Sequence, residues 1–354
     1  MASNSFGKNL RITTFGESHG RAMGVIIDGC PAGLEISPEY IQNIMQERSS
    51  QGNPYTTPRK EADKVEILSG IYKGKTLGTP ITLMVINENT KSEDYDNLTQ
   101  TFRPSHADYT WYNKFNHRDH RGGGRSSARE TVSRVAAASI AYKILEKFDI
   151  KIYGFLSSIY NASISSVDYN YIKQNPFFSP DPQIIPKWEN ILKQTVAEGN
   201  SVGGTIDIHI KSCPIGLGNP VFDKLNAKLA HGIFSIPAVK GVEFGEGFNI
   251  TKMKGSEAND SMYVENGKVK FTSNRNGGTL GGISNGEDII IKIAMKPTSS
   301  IALPQNTVNS QLENTTIEIK GRHDPCVAIR GVSVVKAMCA LVISDFLLEP
   351  DDNF

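Results

Sequence analysis

The chain has 354 residues, which is enough for one large domain or two modest ones. Its 38 lysines and arginines nearly balance its 37 aspartates and glutamates, so the formal net charge is +1. This balance excludes a general polyanion binder, and the 38% hydrophobic content excludes a disordered or collagen-like chain.

The sequence carries no signal for a membrane or for export. No apolar run approaches the roughly 20 residues of a membrane-spanning helix, and residues 1–20 contain no apolar signal core. The cysteines at positions 30, 213, 326 and 339 form no C-x-x-C pair and no cluster with zinc-ligand spacing. We therefore expect a soluble, cytoplasmic protein with reduced thiols, no metal site and no membrane partner.

The N-terminal part of the chain alternates short strands with one helix. Segments rich in β-branched residues predict strands over residues 25–28, 65–68 and 79–86. Between the first two, Ser37 can cap a helix that begins at Pro38, and apolar residues at helical spacing continue it to Met45.

The rest of the chain mixes longer helices with strand pairs. A helix is predicted to begin near Ser127, and others cover residues 187–197, 221–230 and 332–348, the last apolar on most faces. Strands are predicted over 205–211, where isoleucines alternate with polar residues, and over 288–295. Because single helices separate strand pairs without βαβα alternation, the fold class is α+β. The polar stretches 87–102 and 167–187 are too short for domain linkers, so we expect one domain over 1–354.

Two polar clusters each contain a histidine that could meet a ligand. In residues 16–20, His19 lies among glycines just before a strand, although a turn with a solvated imidazole remains an alternative. In residues 103–108, His106 follows Pro104 by two positions, and Asp108 could orient its ring.

Two further clusters combine cations with glycine, serine or proline. In residues 118–130, three glycines precede the start of a predicted helix, and Arg121, Arg125 and Arg129 surround its N-terminus. This combination predicts an anion site. It lacks the Gly-Lys-Ser/Thr ending of a P-loop, so nucleoside triphosphate hydrolysis does not follow. Residues 321–326 contain an Arg-x-Asp pair that could also be a loop salt bridge, and residues 296–300 end a strand with hydroxyls and a cation suited to phosphate.

Five segments, taken in order, resemble chorismate synthase: GESHGRAMGVIIDGCP, FRPSHADYTW, RGGGRSSARETVSRVAAASIA, GGISNGEDIIIKIAMKPTSS and GRHDPC. The resemblance runs from about residue 6 to about residue 347. It implies a single large domain with antiparallel sheets flanked by helices, a β-α-β sandwich. It also implies a lyase that eliminates phosphate and a ring proton from 5-enolpyruvylshikimate 3-phosphate, the last step of the shikimate pathway, in a homotetramer that needs reduced FMN without net redox change.

The resemblance also implies site residues. His19 would be the general acid at the leaving phosphate, His106 would lie near the flavin ring, and Asp324 would relay a proton beside flavin N5. The FMN positions of the family correspond to Arg125, Ser126, Ser127, Pro237, Ala238, Gly281, Lys296, Pro297, Thr298, Ser299, Ser300 and Arg322. The substrate positions correspond to Ser18, His19, Arg48, Arg129 and Arg322.

One stretch departs from the family pattern. Members usually have several arginines where this chain has residues 45–55, and only Arg48 is retained. An NADPH contact carried over to this stretch is therefore in doubt, and substrate binding could depend more on Arg59 and Lys60. The chain also lacks the long insertions expected of forms with their own flavin reductase activity, so we expect an external flavin reductase to supply the reduced flavin.

Two alternatives remain open from the sequence. The arginine- and glycine-rich segment 118–129, with Tyr109, Trp111 and Tyr112 as stacking partners, could bind RNA, although the near-zero net charge argues against a nucleic-acid partner. The missing arginines would instead fit an enzyme-like scaffold that has lost activity.

Overall fold

The computed structural model describes residues 3–49, 53–56, 63–87, 98–319 and 324–350. Its first antiparallel sheet contains, in spatial order, β1 (Ser5–Phe6), β2 (Arg11–Phe15), β3 (Ala22–Asp28), β7 (Ile81–Ile86) and β4 (Val65–Ser69). The second contains β11 (Val239–Phe244), β16 (Ile289–Met295), β10 (Gly204–Lys211), β8 (Lys151–Ile159) and β9 (Ala162–Ser163). All neighbouring strands in both sheets are antiparallel.

Four short hairpins complete the described strands. They pair β5 (Ile71–Tyr72) with β6 (Lys75–Thr76), β12 (Met262–Glu265) with β13 (Lys268–Phe271), β14 (Thr279–Leu280) with β15 (Ile283–Ser284), and β17 (Gln305–Val308) with β18 (Asn314–Ile317). The helices are α1 (Pro38–Gln46), α2 (Asp108–Phe115), α3 (Thr131–Glu146), α4 (Ile185–Ala197), α5 (Leu225–Phe234), α6 (Gly255–Ala258) and α7 (Ala328–Leu347).

Helices α3 and α7 lie between the two sheets. Helix α3 contacts β2, β3 and β7 of the first sheet, α7 contacts β8 and β10 of the second, and the two helices contact each other. This arrangement confirms the α+β class and the antiparallel sheets flanked by helices. No helix among the described residues combines the length and the apolarity that a membrane crossing needs.

The alternating pattern of β10 explains how the second sheet joins the core. Ile206, Ile208 and Ile210 are fully buried, and each pairs in register with an isoleucine of β16. Residues between them in β10 are only partly buried, because successive side chains of a strand point to opposite faces. Each buried isoleucine contributes about 2–3 kcal/mol, so the apolar face fixes the sheet against α7.

The predicted elements are confirmed, but several boundaries differ. The helix expected near Ser127 begins at Thr131, because Ser127 instead caps a 3₁₀ turn over Ala128–Glu130 by accepting a hydrogen bond from the Arg129 amide. Helix α7 begins at Ala328 rather than residue 332. Strand β7 begins at Ile81, directly after Pro80, which has no amide hydrogen for a strand ladder.

A partly buried ion-pair cluster ties α1 to α7. Glu47 caps the C-terminus of α1, and its carboxylate accepts hydrogen bonds from Lys336 of α7 at 2.8 Å and from Lys173 at 2.6 Å. Burial alone would raise the pKa of Glu47, but the two ammonium groups outweigh it and lower the pKa to about 2. Glu47, within the stretch 45–55, thus forms structural ion pairs here.

We expect Glu47→Gln to lower the free energy of unfolding at pH 7 by about 2–3 kcal/mol, because Lys336 would lose its partner. The folded-state pKa lies below the ordinary value of 4.5, so the contribution is complete above pH 4.5 and is lost as pH falls toward 2. Urea unfolding from pH 7 to pH 2 should therefore show wild type and variant converging. Glu35→Gln, which breaks an exposed pair with Lys75, is the control and should show no such convergence.

Candidate active site

A cleft of about 1150 Å³ opens among loops that lie far apart in sequence. Three of the polar clusters line it directly: His106 from the second, Arg125 and Arg129 from the third, and Asp324 from the fourth. Residues 296–300, which follow β16, and residues 234–240, which join α5 to β11, complete much of the wall. Predicted site residues separated by hundreds of positions therefore share one cavity.

The glycine loop separates the two predicted catalytic histidines. Gly122 and Gly123 have φ values of +61° and +88°, which side-chain-bearing residues rarely adopt. A Cβ atom on Gly122 would lie 2.2 Å from His19 Cε1, and one on Gly123 would lie 3.0 Å from His106 Cε1. Only glycine at both positions lets the backbone pass this closely between the two rings.

His19 lies behind this loop rather than on the cleft wall. It is 7% exposed, and its Nδ1 atom lies 3.1 Å from the hydroxyl of Ser18. The Ser18 hydroxyl donates to the carbonyl of Arg121 at 3.4 Å, and this hydrogen bond connects Ser18 and His19 to the glycine loop. Gly122, which contacts the imidazole, does line the cleft.

His106 is held by a buried carboxylate between two arginines. Its Nδ1 atom lies 2.9 Å from Asp108 Oδ1. Asp108 also accepts hydrogen bonds from Arg103 at 2.7 and 2.9 Å, and Arg118 Nη1 lies 3.2 Å from it. Arg103 Nη2 is also 3.1 Å from Nδ1, but two donors cannot share a hydrogen bond, and a carboxylate is the better partner for Nδ1–H. Nε2 is then the acceptor of the neutral ring.

The surroundings of His106 and Asp108 lower the pKa of both groups. Burial, followed by the positive charges of Arg103 and Lys296, lowers the pKa of His106, although Asp108 opposes the shift. Burial would raise the pKa of Asp108, but hydrogen bonds from Arg103 and His106 reverse this effect and hold that pKa well below its usual range. At neutral pH the pair is therefore a neutral imidazole on an ionised carboxylate.

A second buried carboxylate joins Arg48 to Arg129. Asp63 Oδ2 accepts from Arg48 at 3.1 Å and Asp63 Oδ1 accepts from Arg129 at 3.0 Å, and all three side chains are at most 9% exposed. Arg48 also donates to the Thr131 hydroxyl at 3.0 Å, at the start of α3. Asp63 is absent from the residues that the sequence analysis singled out, because its partners are 15 and 66 positions away.

Most of the other predicted cofactor positions also line the cleft. Arg125 is anchored to β2 through the Thr14 hydroxyl at 2.7 Å, and the Ser126 hydroxyl donates to the Gly123 carbonyl. Pro237 and Ala238 form a turn in which Ala238 has a φ of +71°. The complete set of predicted FMN positions that line the cleft is Arg125, Ser126, Ser127, Pro237, Ala238, Lys296, Pro297, Thr298, Ser299 and Ser300.

Asp324 and Lys296 also line the cleft. Asp324 pairs with Arg330 at 3.2 Å, and its backbone carbonyl accepts a hydrogen bond from the Thr298 hydroxyl. Lys296 donates to the Ser105 carbonyl at 2.6 Å, and its pKa is lowered by burial and by the nearby Lys240. Lys240, which the sequence analysis did not single out, also lines the cleft.

Several predicted residues lie elsewhere. Ser18 and His19 are behind the glycine loop, and Gly281 is in the turn between β14 and β15, away from the cleft lining. Arg322, Arg59 and Lys60 fall outside the described residues. Across the ranges that the structure describes, no group of three or more His, Cys, Asp or Glu residues could hold a metal ion.

Comparisons with known proteins agree with the resemblance. A family model described as chorismate synthase matches residues 10–348. A solved structure titled "Crystal Structure of Chorismate Synthase" superposes with a TM-score of 0.77 at 29% sequence identity, covering 97% of this chain and 93% of the other. The similarity therefore extends over the whole fold.

We expect Asp108→Asn to lower the pKa of His106 further, because the ring would lose the one negative charge that favours its protonated form. The variant should also be about 3 kcal/mol less stable, since Arg103 and Arg118 would lose a buried partner. Histidine side-chain NMR titration of the folded variant measures the pKa directly. Asp119→Asn, which breaks the exposed pair with Arg121, is the matched control; a His106 titration identical in all three proteins would contradict the assignment.

Proposed function

The chain belongs to the chorismate synthase family, and from this premise we propose that it converts 5-enolpyruvylshikimate 3-phosphate to chorismate by anti-1,4-elimination of phosphate and a ring proton. The observation that carries the proposal is the single cleft lined by His106, Arg48, Arg129 and Asp324. A small-molecule substrate is what the family implies. The reaction class, a carbon–oxygen lyase acting on a phosphate, is part of the proposal.

Charge supports the proposed substrate. It carries a phosphate and two carboxylates, so a nearly neutral protein must concentrate cations where it binds. The cleft wall includes Arg48, Arg129, Arg125, Lys296 and Lys240. Asp63 offsets only one of these charges, so the cleft keeps a positive surplus for a small polyanion.

The residues of the cleft also fit reduced FMN. Arg125, the hydroxyls of Ser126 and Ser127, and residues 296–300 supply cations and hydrogen-bond donors to the cleft, and a cavity of about 1150 Å³ is large enough for a flavin beside a substrate. Bound reduced flavin would supply electron density as the carbon–oxygen bond breaks, without net redox change. The protein must then bind the anion, exclude water and move two protons.

Each proton has a proposed residue. Following the resemblance, His19 would donate to the leaving phosphate, because a departing phosphate needs a general acid, and Gly122, which lies between its ring and the cleft, would have to give it access. His106 would remain neutral and oriented by Asp108, consistent with its lowered pKa. Asp324, held by Arg330, would accept the ring proton through a relay. The two arginines joined by Asp63 would hold the anionic groups of the substrate.

The two alternatives have weaker support. Arg118 and Arg129 of the proposed RNA clamp are buried in ion pairs with Asp108 and Asp63, rather than exposed to a phosphate backbone. An inactive scaffold was suggested by the missing arginines, but Glu47 serves the α1–α7 ion pairs and Arg48 still lines the cleft. Neither observation requires a loss of activity.

Other features remain proposals on the same basis. We propose one domain over residues 1–354, a homotetramer, a cytoplasmic location and a separate flavin reductase as the source of reduced FMN. Four buried cysteines without a disulfide are consistent with a reducing compartment. An NADPH contact near residues 45–55 is not proposed, because Arg48 and Glu47 are both engaged in internal contacts.

The direct test is anaerobic turnover with the substrate and prereduced FMN, followed by chorismate absorbance and phosphate release. We expect stoichiometric chorismate and phosphate with reduced FMN, and no product with oxidised FMN and NADPH alone. Absence of chorismate with reduced FMN would refute the function. Product from oxidised FMN and NADPH would instead refute the need for a separate reductase.

We expect His19→Ala and His106→Ala each to reduce turnover about a hundredfold or more, the usual scale for a lost proton-transfer residue. Anaerobic initial rates with prereduced FMN measure the loss. His117→Ala, at an exposed position near the same segments, is the matched control and should retain full turnover. Wild-type rates in either the His19 or the His106 variant would remove that histidine from the mechanism.

A further inference from the structure

We propose that Asp63 is a positioning residue that sets the geometry of Arg48 and Arg129 for an anionic group of the substrate. The proposal rests on the proposed function, and it assigns a role to a residue outside the five segments that carry the family resemblance. It depends on three features of Asp63: how its oxygens are shared, how deeply they are buried, and how its backbone is held.

The two oxygens of the carboxylate are divided between the arginines. Oδ2 accepts from Arg48 Nη1 at 3.1 Å, and Oδ1 accepts from Arg129 Nη1 at 3.0 Å. Each guanidinium has a second fixed partner, since Arg48 Nε donates to the Thr131 hydroxyl and Arg129 Nε donates to Asn87 Oδ1 at 2.8 Å. With two directions fixed, each planar guanidinium is held in one orientation.

Burial makes the carboxylate necessary for this arrangement. The side chain of Asp63 is 4% exposed, and those of Arg48 and Arg129 are 3% and 9% exposed. Two buried guanidinium groups this close would repel each other without the anion between them. The three groups together carry one surplus positive charge, at a point where all three line the cleft.

The backbone of Asp63 also indicates a functional constraint. Its φ of +43° lies in the left-handed region, where aspartate is tolerated better than most residues but is still uncommon. Such a conformation persists only where surrounding contacts hold it, and it is frequent near functional sites. Here the Asp63 carbonyl accepts a hydrogen bond from Gln42 Nε2 at 3.3 Å while its carboxylate accepts from the two arginines, so backbone strain and ion pairing occur at the same residue.

For substrate binding, the proposal predicts the opposite of what electrostatic attraction alone predicts. Replacing Asp63 with asparagine raises the local surplus from one positive charge to two, and attraction alone would then tighten the binding of an anionic substrate. If Asp63 instead positions the arginines, binding weakens despite the added charge. The sign of the change in the dissociation constant therefore distinguishes the two roles.

The test compares wild type, Asp63→Asn and Asp63→Glu, each with FMN bound. Calorimetry with 5-enolpyruvylshikimate 3-phosphate and oxidised FMN measures the dissociation constant, and anaerobic kinetics separate KM from kcat. We expect Asp63→Asn to raise the dissociation constant and KM at least tenfold, with kcat changed less than threefold and FMN affinity within twofold. Equal or tighter substrate binding would overturn the proposal. If the asparagine variant does not fold, the glutamate variant decides, since an unchanged KM there would also overturn it.

A double-mutant cycle tests whether Asp63 acts through an arginine. The effect of Asp63→Asn on the dissociation constant should shrink in an Arg48→Ala background, whereas equal effects in both backgrounds would contradict a positioning role. Asp288→Asn, which breaks the Lys211 pair on the second sheet, is the control for loss of an ion pair and should leave all constants unchanged.

A readout without substrate separates this inference from the proposed function. Arginine side-chain NMR should show slowly exchanging Nη–H signals for Arg48 and Arg129 in the wild type, and faster exchange in Asp63→Asn. If these signals behave as expected but the wild type makes no chorismate, the proposed function fails and the positioning role stands. Unaltered exchange in the variant would overturn the positioning role whatever the activity.

Discussion

The structure depends on the cost of burying cationic side chains beside a cavity. A small polyanion needs several arginines at one place, yet arginines crowded together in a desolvated wall repel one another. The chain meets this constraint twice with the same device, a buried aspartate that bridges two arginines: Asp63 with Arg48 and Arg129, and Asp108 with Arg103 and Arg118. Each group retains one positive charge while its side chains are held in fixed orientations.

Most of the fold could be predicted because its elements carry local patterns. Alternating isoleucines in β10 and the apolar run of α7 reflect burial directly, and both elements occur where the patterns indicated. Boundaries were less accurate where local hydrogen bonds compete with helix formation. Ser127 can cap either a helix or a 3₁₀ turn, and only its contact with the Arg129 amide in the folded chain distinguishes the two.

The candidate site was predictable in part. His106 and Asp108 are two positions apart, so their pairing is a local event and was expected. Asp63 lies in a polar stretch with no glycine or histidine beside it. Its role in the site depends on two arginines that only the folded topology brings near it. The resemblance identified Arg48 and Arg129, but a list of matching positions does not indicate what holds two arginines together. That information resides in tertiary packing.

The glycine loop has a consequence for how this protein can vary. Gly122 lies against the ring of His19 and Gly123 against that of His106, so one loop of backbone packs against both imidazoles. A change in this loop shifts the two rings together, and neither can be retuned by a substitution there without disturbing the other. Sequence drift in this segment is therefore restricted by the packing of two histidine rings at once.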